Sequence, residues 1–326
     1  MSKRVTIKSI ADDLGISHMT VSRALTDNPN VQKETRDAVR KRAAELGYVR
    51  SAAARAMRGE TSPIIGLLIP NIRNDFYARF ANALAEACEA NALQLIIRLT
   101  KDDPAAERAA ITGLREVQAR ALIMVPTPRT PEDAPAQLEG IRCIQLIRER
   151  EDAKEALAVL VDDDGAIRDA VKHLAGRGHQ HIGFLGASRA FSSGRDRLAA
   201  FERGMAEAGL NLSAALVTTE SPSVEMGYNA TQALITQGKA TAVICGGFEI
   251  STGALRAAIE ADALHTRLAF VGYGDPDYYA WVQGGISTIE VPIDALVRSA
   301  MNRLLDDKQP GQPARVGFPA RLVIRS

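Results

Sequence analysis

Between Thr6 and Tyr48 the apolar positions recur at helical spacing. Ile7, Ile10, Ala11 and Leu14 form one stripe, which predicts a first helix. Gly15 breaks it where a tight turn uses positive φ. Ser17 stands where a second helix needs an N-cap. In that second helix Val21 and Leu25 face inward, while His18, Met19, Ser22 and Arg23 share the opposite, wet face. A third helix carries Thr35, Val39, Ala43 and Leu46 inward and stops at Gly47. Two helices joined by a tight turn, the second with a polar outer face, predict a helix-turn-helix whose second helix reads a DNA groove.

The pattern changes after Tyr48. In VRSAAARAMRGETSP, Ser51 caps a short helix, Ala52 to Arg58, that ends at Gly59. Two turns are too few to be stable alone in water, so the stretch reads as a linker. From Ile64 onward short apolar runs alternate with helical patterns. The runs are 64–69, 93–99, 121–125, 157–161, 181–186, 241–245 and 268–272. Buried strands alternating with helices predict parallel sheets covered on both faces. Two such units in tandem predict a two-lobed body, with the boundary near Val161 and a C-terminal strand, Arg321–Ile324, completing a sheet. The expected organisation is a DNA-binding head over 1–49, a hinge or linker over 50–62 and a body over 63–326.

Charge sharpens this division. Net charge is only +1, yet residues 1–60 carry twelve Lys/Arg against seven Asp/Glu. A basic head on a mildly acidic body fits a head that meets phosphate. Cys88, Cys143 and Cys245 are odd in number and far apart, as expected of reduced thiols rather than a metal cluster. The N-terminal MSKRVTIKSI has no apolar signal core, so a cytoplasmic location is expected.

The stretches LGISHMTVSRAL, DNPNVQKETRDAV and AAELGY, in this order, resemble the LacI/GalR family of transcriptional regulators. The resemblance extends over nearly the whole chain. It implies a helix-turn-helix head, a hinge helix that folds on DNA, and a body like periplasmic sugar-binding proteins. The partners it implies are a palindromic double-stranded operator, a small-molecule effector and a second copy of the chain. No cofactor or metal is expected. DNA-facing candidates are Thr6, Ile7, Ser17, His18, Met19, Thr20, Ser22, Arg23, Asn30 and Thr35 in the head, with Ser51, Ala54 and Met57 in the hinge. Among them His18, Met19 and Arg23 are expected at bases, and Ser17, Ser22 and Asn30 at phosphates. Met57 stands where the family usually has an intercalating Leu; a flexible apolar side chain still serves as a wedge.

Ligands of open parallel sheets bind beyond the carboxyl ends of the strands. That rule, with the resemblance, gives the effector candidates Phe76, Arg98, Thr127, Arg148, Asp163, Arg197, Phe248, Asp275 and Trp281. Arg197 matches the family's effector-clamping Arg, and Phe76 its frequent aromatic. Asp163 reads equally as a strand-end cap. Two positions depart from the family: Gly247-Phe248 replaces a common Asn-Asp, and Gly274 replaces the first Asp of Gly-Tyr-Asp-Asp. Losing acceptors while keeping Arg98, Arg148 and Arg197 points to a carbohydrate-derived or other small organic acid, clamped by Arg197 and covered by Phe76, Phe248 and Trp281.

Enzyme signatures are weak. GHQHIG has two His without companions at ligand spacing, and no P-loop, GxGxxG or Ser/His/Asp set is present. The expected function is a ligand-responsive, non-enzymatic transcriptional regulator, most simply a repressor. A regulator with a degenerate cleft, controlled by a partner protein or by no ligand, is the alternative; a solute-binding protein or an enzyme on the same body is more distant. No heptads follow Ile324, so a homodimer is expected rather than a tetramer.

Overall fold

The computed structural model describes residues 5–48, 62–128, 138, 141–150, 157–211, 217–305 and 314–325. The chain divides into two compact units, Met1–Ser62 and Pro63–Ser326. The hinge candidates Ser51, Ala54 and Met57 lie outside the described residues.

Among its described residues the first unit has three helices, α1 (Ile7–Leu14), α2 (His18–Ala24) and α3 (Lys33–Glu45). Thr6 and Ser9 close a reciprocal cap at the start of α1, and Gly15, at φ 64°, ends it. The Gly15 conformation lets Ile16 N–H reach back to the Ala11 carbonyl at 3.1 Å, which satisfies a helix-end acceptor. Gly47 does the same for α3, where Tyr48 N–H reaches the Ala43 carbonyl at 2.8 Å. Ile10, Val21, Ala24, Val31 and Val39 are buried between the helices, and Ile7, Leu14, Leu25 and Leu46 pack around them.

The described residues of the second unit form two six-stranded sheets. The first lobe contains β1 (Ile64–Ile69), α4 (Asp75–Ala90), β2 (Gln94–Leu99), α5 (Pro104–Glu116), β3 (Ala121–Met124), β4 (Arg142–Leu146) and β5 (Leu157–Asp162). The chain then crosses to the second lobe for α6 (Asp164–Gly176), β6 (Ile182–Ala187), α7 (Ser192–Glu207), β7 (Val217–Glu220), α8 (Val224–Gln237), β8 (Ala242–Gly246), α9 (Phe248–Glu260), β9 (Ala269–Tyr273) and β10 (Ser287–Glu290). It returns through α10 (Ile293–Leu305) to β11 (Arg315–Pro319), and crosses a third time to β12 (Arg321–Val323). Strand orders are β11-β5-β4-β3-β1-β2 and β12-β10-β9-β8-β6-β7. Every described pairing within these sheets is parallel except β10 with β12.

The apolar runs become strands because both sheet faces are covered. On β1, Ile65, Leu67 and Ile69 pack towards α4, while Leu68 packs with Leu122 and Met124 against α5. Helix starts follow the capping chemistry: Asn74 Oδ1 accepts Phe76 N–H, and Asp103 accepts Ala105 and Ala106 N–H ahead of Pro104. Where α8 and α9 cross, glycines permit contact of backbones. A Cβ at Gly253 would lie 1.8 Å from the Val224 carbonyl oxygen, and one at Gly227 2.1 Å from that of Ile250. No helix among the described residues is long and apolar enough to cross a membrane.

Candidate nucleic-acid interface and effector cleft

In the head unit, the Ser17 hydroxyl accepts Thr20 N–H at 3.1 Å and lies 2.9 Å from the Thr20 hydroxyl. Ser17 and Thr20 therefore start α2 as well as standing at its N-terminus, where backbone N–H groups favour phosphate. His18, Met19 and Arg23 are exposed along α2, Met19 to 54%. Ser22 is half-buried, Asn30 is exposed in the loop before α3, and Thr35 is half-buried in the first turn of α3. Thr6 is exposed at the cap of α1, with Ile7 half-buried beside it.

The basic residues of this unit divide into two sets. Arg42 pairs with Asp13 at 2.6 Å, joining α3 to α1, and Arg40 pairs with Asp27. Arg36 donates to the Asn28 and Val31 carbonyls at 3.2 and 3.0 Å. These three hold the helices and their loop. The Arg23 guanidinium has no partner among the described residues. Its donors are unspent at the centre of the wet face of α2, as bidentate recognition of a guanine edge requires.

In the second unit the carboxyl ends of the strands of the two lobes face a common cleft. Asn71 and Asn74, from the loop before α4, donate to the two Glu249 carboxylate oxygens at 3.5 and 3.3 Å. Arg79 donates to the Asp275 carbonyl at 3.1 Å. The Phe76 ring meets Phe248 at a centroid distance of 5.2 Å, and Phe248 meets Tyr273 edge-on at 5.1 Å. Deeper in, Arg148 lies over the Phe191 ring at 4.1 Å, and Glu149 N–H donates to the Ser192 hydroxyl at 2.9 Å. Polar and aromatic contacts thus join the two lobes.

Two of the three cations that sequence reasoning left as ligand donors, Arg197 and Arg148, are already matched. Arg197 is buried, donates through Nε to Asp163 at 2.6 Å and through Nη1 to the Gly246 carbonyl at 3.0 Å, and covers the Tyr273 ring at 4.1 Å. Asp163 also accepts the Tyr273 hydroxyl at 2.6 Å. Burial by itself would lower the Arg197 pKa, but the Asp163 charge and Tyr273 outweigh it and raise it above its ordinary value. Burial likewise drives the Tyr273 phenol well above its ordinary value. Arg148 is buried and pairs with Asp102 at 2.6 Å.

Several expectations are corrected here. Arg98 is exposed on the edge strand β2, paired in register with Leu68, and lines no cleft; a strand-end position in sequence became a flank position because β2 has no outer neighbour. Trp281 is 71% exposed and does not line the cleft, because it closes a short 3-10 turn at the surface. Asp275 is held bidentately by Arg325 at 2.7 and 2.8 Å. Thr127 is buried in the first lobe, its N–H donating to Glu107 at 2.8 Å. Asp163 makes no side-chain cap bond, although it sits at the N-cap of α6. The three-arginine anion clamp is therefore not assembled.

What the cleft offers instead is a cavity of about 720 Å³, lined among others by Asn71, Asn74, Glu225, Phe248, Glu249 and Tyr278. Among the described residues its lining carries three carboxylates, Asp75, Glu225 and Glu249, against one guanidinium, Arg73. That balance repels an acid and supplies acceptors to hydroxyl or amino groups. Sequence reasoning pointed to the loops that hold Asn71, Asn74 and Glu249 without singling out these residues. Their signal was there: two Asn and one Glu flanking Phe76 and Phe248. A second departure escaped it altogether: Glu107 and Arg150, both buried, approach within 3.9 Å inside the first lobe. Burial raises the Glu107 pKa, against the opposing Thr127 hydrogen bond. Burial also pushes the Cys143 and Cys245 thiols up to about 12.

Comparison with known proteins fits this geometry. Residues 6–51 match the profile described as bacterial regulatory proteins, lacI family, and residues 171–326 match that of a periplasmic binding protein-like domain. An HTH-type transcriptional repressor PurR from Klebsiella pneumoniae (strain 342) is 29% identical over 92% of this chain and 89% of its own length. One from Escherichia coli O1:K1 / APEC is 29% identical over 98% of this chain and 96% of its own. The lac repressor dimer bound to operator and an anti-inducer superposes with a TM-score of 0.82 at 22% identity, covering 99% of this chain and 98% of that one. A lacI-family regulator from Silicibacter pomeroyi gives 0.82 at 20% identity, with 98% of each chain covered. The chain thus carries a lacI-family helix-turn-helix domain followed by a periplasmic binding protein-like domain, and it is homologous over nearly its full length to the PurR and lac repressors.

Proposed function

We propose that the protein is a homodimeric transcriptional repressor that reads a palindromic operator through α2 and is controlled by a neutral, polyhydroxylated effector in the interlobe cleft. The observation that carries the DNA-binding half is the division of labour in the head. Arg36, Arg40 and Arg42 hold the fold, while Arg23 keeps its donors free between exposed His18 and Met19 and the next turn. Dimerisation has a surface to use: Ile97 and Leu99 are 40% and 45% exposed on the edge strand β2. The lobe contacts supply the switch. An effector that binds one lobe arrangement more tightly than the other shifts operator affinity by that difference in affinity.

The effector class follows from the lining. Carboxylates and amides from both lobes beside Phe248 and Tyr278 suit a sugar-like molecule, with hydroxyls on the acceptors and an apolar face on the rings. Two measurements test this reading. In a gel-shift titration on a selected palindrome, Arg23→Ala should weaken specific binding by about 1–3 kcal/mol and leave salt-dependent non-specific binding in place. Unchanged operator affinity would remove α2 from the interface. In a thermal-shift screen pairing each neutral sugar with its uronic or aldonic acid, the neutral member should stabilise the protein; stabilisation by the acids alone would overturn the effector class. One observation favours a second reading, a cleft that needs no ligand. Phe76, Phe248, Tyr273, Arg197 and Asp163 already satisfy one another, and a screen without any stabilising compound would support it.

A further inference from the structure

We propose that the pole of the second lobe opposite the cleft holds a binding site for a small multivalent oxyanion. The site is a cavity of about 520 Å³ at the amino ends of β6, β8, β9 and β10. Along β8 the two sites lie at opposite ends: Thr241 lines this cavity, and the Gly246 carbonyl receives Arg197 in the cleft. Five residues of strand separate them, about 16 Å at 3.3 Å per residue.

The lining concentrates positive charge. His173 and Arg177 come from the end of α6, His179 from the turn that follows, and His265 and Arg267 from the loop before β9. No carboxylate among the described residues belongs to the lining. The chain has five histidines, and four of them gather at this end if exposed His181 at the start of β6 is included. Six arginines elsewhere in the body, Arg148, Arg168, Arg197, Arg203, Arg256 and Arg325, each meet a carboxylate. The two in this lining do not. The Arg177 guanidinium has no hydrogen-bond or ion-pair partner among the described residues, and among them the Arg267 guanidinium donates only to the Ala261 carbonyl, at 2.7 Å.

The histidines sense this surplus. Burial, then Arg177 and His173, hold the His179 pKa below the ordinary histidine value. Burial, then Arg177, do the same to His265, against a hydrogen bond to the Gly285 backbone. The helix dipole accounts for part of the cluster, since the carbonyl end of α6 attracts His173 and Arg177. It does not account for His265 and Arg267, which a separate loop brings to the same wall.

The remaining groups suit an oxyanion with an organic portion. His179 Nδ1 lies 3.0 Å from the Thr241 hydroxyl, which leaves Nε2 for a second partner. Leu174, Leu268 and Phe270 supply an apolar floor. Two guanidinium forks beside imidazoles match the spread charge of a phosphate or polycarboxylate group. The cavity is far larger than one such group, so the class is a phosphate- or carboxylate-bearing metabolite rather than a free ion.

The test is isothermal titration of the full chain with sodium pyrophosphate and, in parallel, with citrate, at pH 6.5 and fixed ionic strength. The two arms separate phosphate from carboxylate as the group recognised. Saturable binding of at least one, with one site per chain, is expected. An Arg177→Ala, Arg267→Ala double variant should weaken it at least tenfold, while its anion-free operator affinity stays at the wild-type value because neither residue belongs to the head or the cleft. Arg23→Ala should bind the anion as wild type does, which excludes the head as the site. Binding of neither anion, or equal binding by the double variant, would overturn the proposal.

Discussion

Replacing Arg197 by Met removes a cation while keeping an apolar stem in its place. In the native protein Asp163 is 7% exposed and receives Arg197 Nε and the Tyr273 hydroxyl, each at 2.6 Å. Without Arg197 it becomes a buried carboxylate with one neutral donor. Breaking a buried pair from one side costs about 3–5 kcal/mol, because the remaining charge is uncompensated. The Gly246 carbonyl also loses its donor, and the Tyr273 ring loses a cation at 4.1 Å, worth about 0.5–2 kcal/mol. These terms share partners and do not add, so Arg197→Met should cost about 4–6 kcal/mol. Adding Asp163→Asn removes the stranded charge and leaves an amide oxygen for Tyr273. The double variant should recover at least about 2 kcal/mol, since the buried ion is the larger share of the loss. Urea unfolding of the full chain, followed by far-UV circular dichroism through the transition of the body, reads both numbers. A single variant that loses under about 1 kcal/mol, or a double variant no more stable than the single, would refute the claim that Arg197 is committed to Asp163.

Other consequences are simpler. Ser17→Ala removes the acceptor for Thr20 N–H and should destabilise the head by about 1 kcal/mol, with a matching loss of amide-exchange protection in α2. Gly253→Ala places a Cβ 1.8 Å from the Val224 carbonyl oxygen, so α8 and α9 must separate; a loss of at least about 1–3 kcal/mol in thermal unfolding is expected, and Gly113→Ala, with open space around it, is the neutral control. His179 and His265 have folded pKa values below the ordinary one, so their contribution to stability is present above about pH 6.5 and lost as pH falls through the lower folded values. Melting temperature should therefore drop between pH 7 and 5 with a slope that His179→Gln, His265→Gln flattens.

Much of the fold was legible because burial on both faces leaves a local signature. The run 64–69 is β1 residue for residue, and the runs at 157–161, 181–186, 241–245 and 268–272 each fall within one residue of a strand end. β7, β10 and β11 were not anticipated. Their sequences, VTTE, STIE and RVGFP, lack a continuous apolar run. β7 is an edge strand, and β11 reaches its sheet only through the return crossing, a long-range fact that no window of sequence contains. The head was legible down to Ser17 and Gly15, since caps and left-handed turns are local chemistry. The cleft was half legible. Strand ends located Phe76, Arg148, Arg197 and Phe248, but whether a cation is spent depends on partners far away in sequence, as with Arg148 and Asp102 or Arg197 and Asp163.

The two departures from the family pattern prove to be one structural fact. Gly274 adopts φ +83°, and a Cβ there would lie 2.2 Å from the Phe248 ring. The ring at 248 thus fills the space that a side chain at 274 would enter, so position 274 is not free to take an acidic residue while Phe248 stays in place. Filling that space also sets the edge-on contact of Phe248 with Tyr273, and the Tyr273 hydroxyl is what completes the partners of Asp163 beside Arg197. One aromatic side chain therefore accounts for three observations: a missing acceptor at 248, a glycine at 274, and an arginine held by the protein. The acceptors that remain, Glu249 with Asn71 and Asn74, sit outside that cluster and join the lobes directly. A hydroxyl-bearing ligand that replaces those amide-to-carboxylate bonds would act on the lobe contact itself, which is where an effector has to act to change operator affinity.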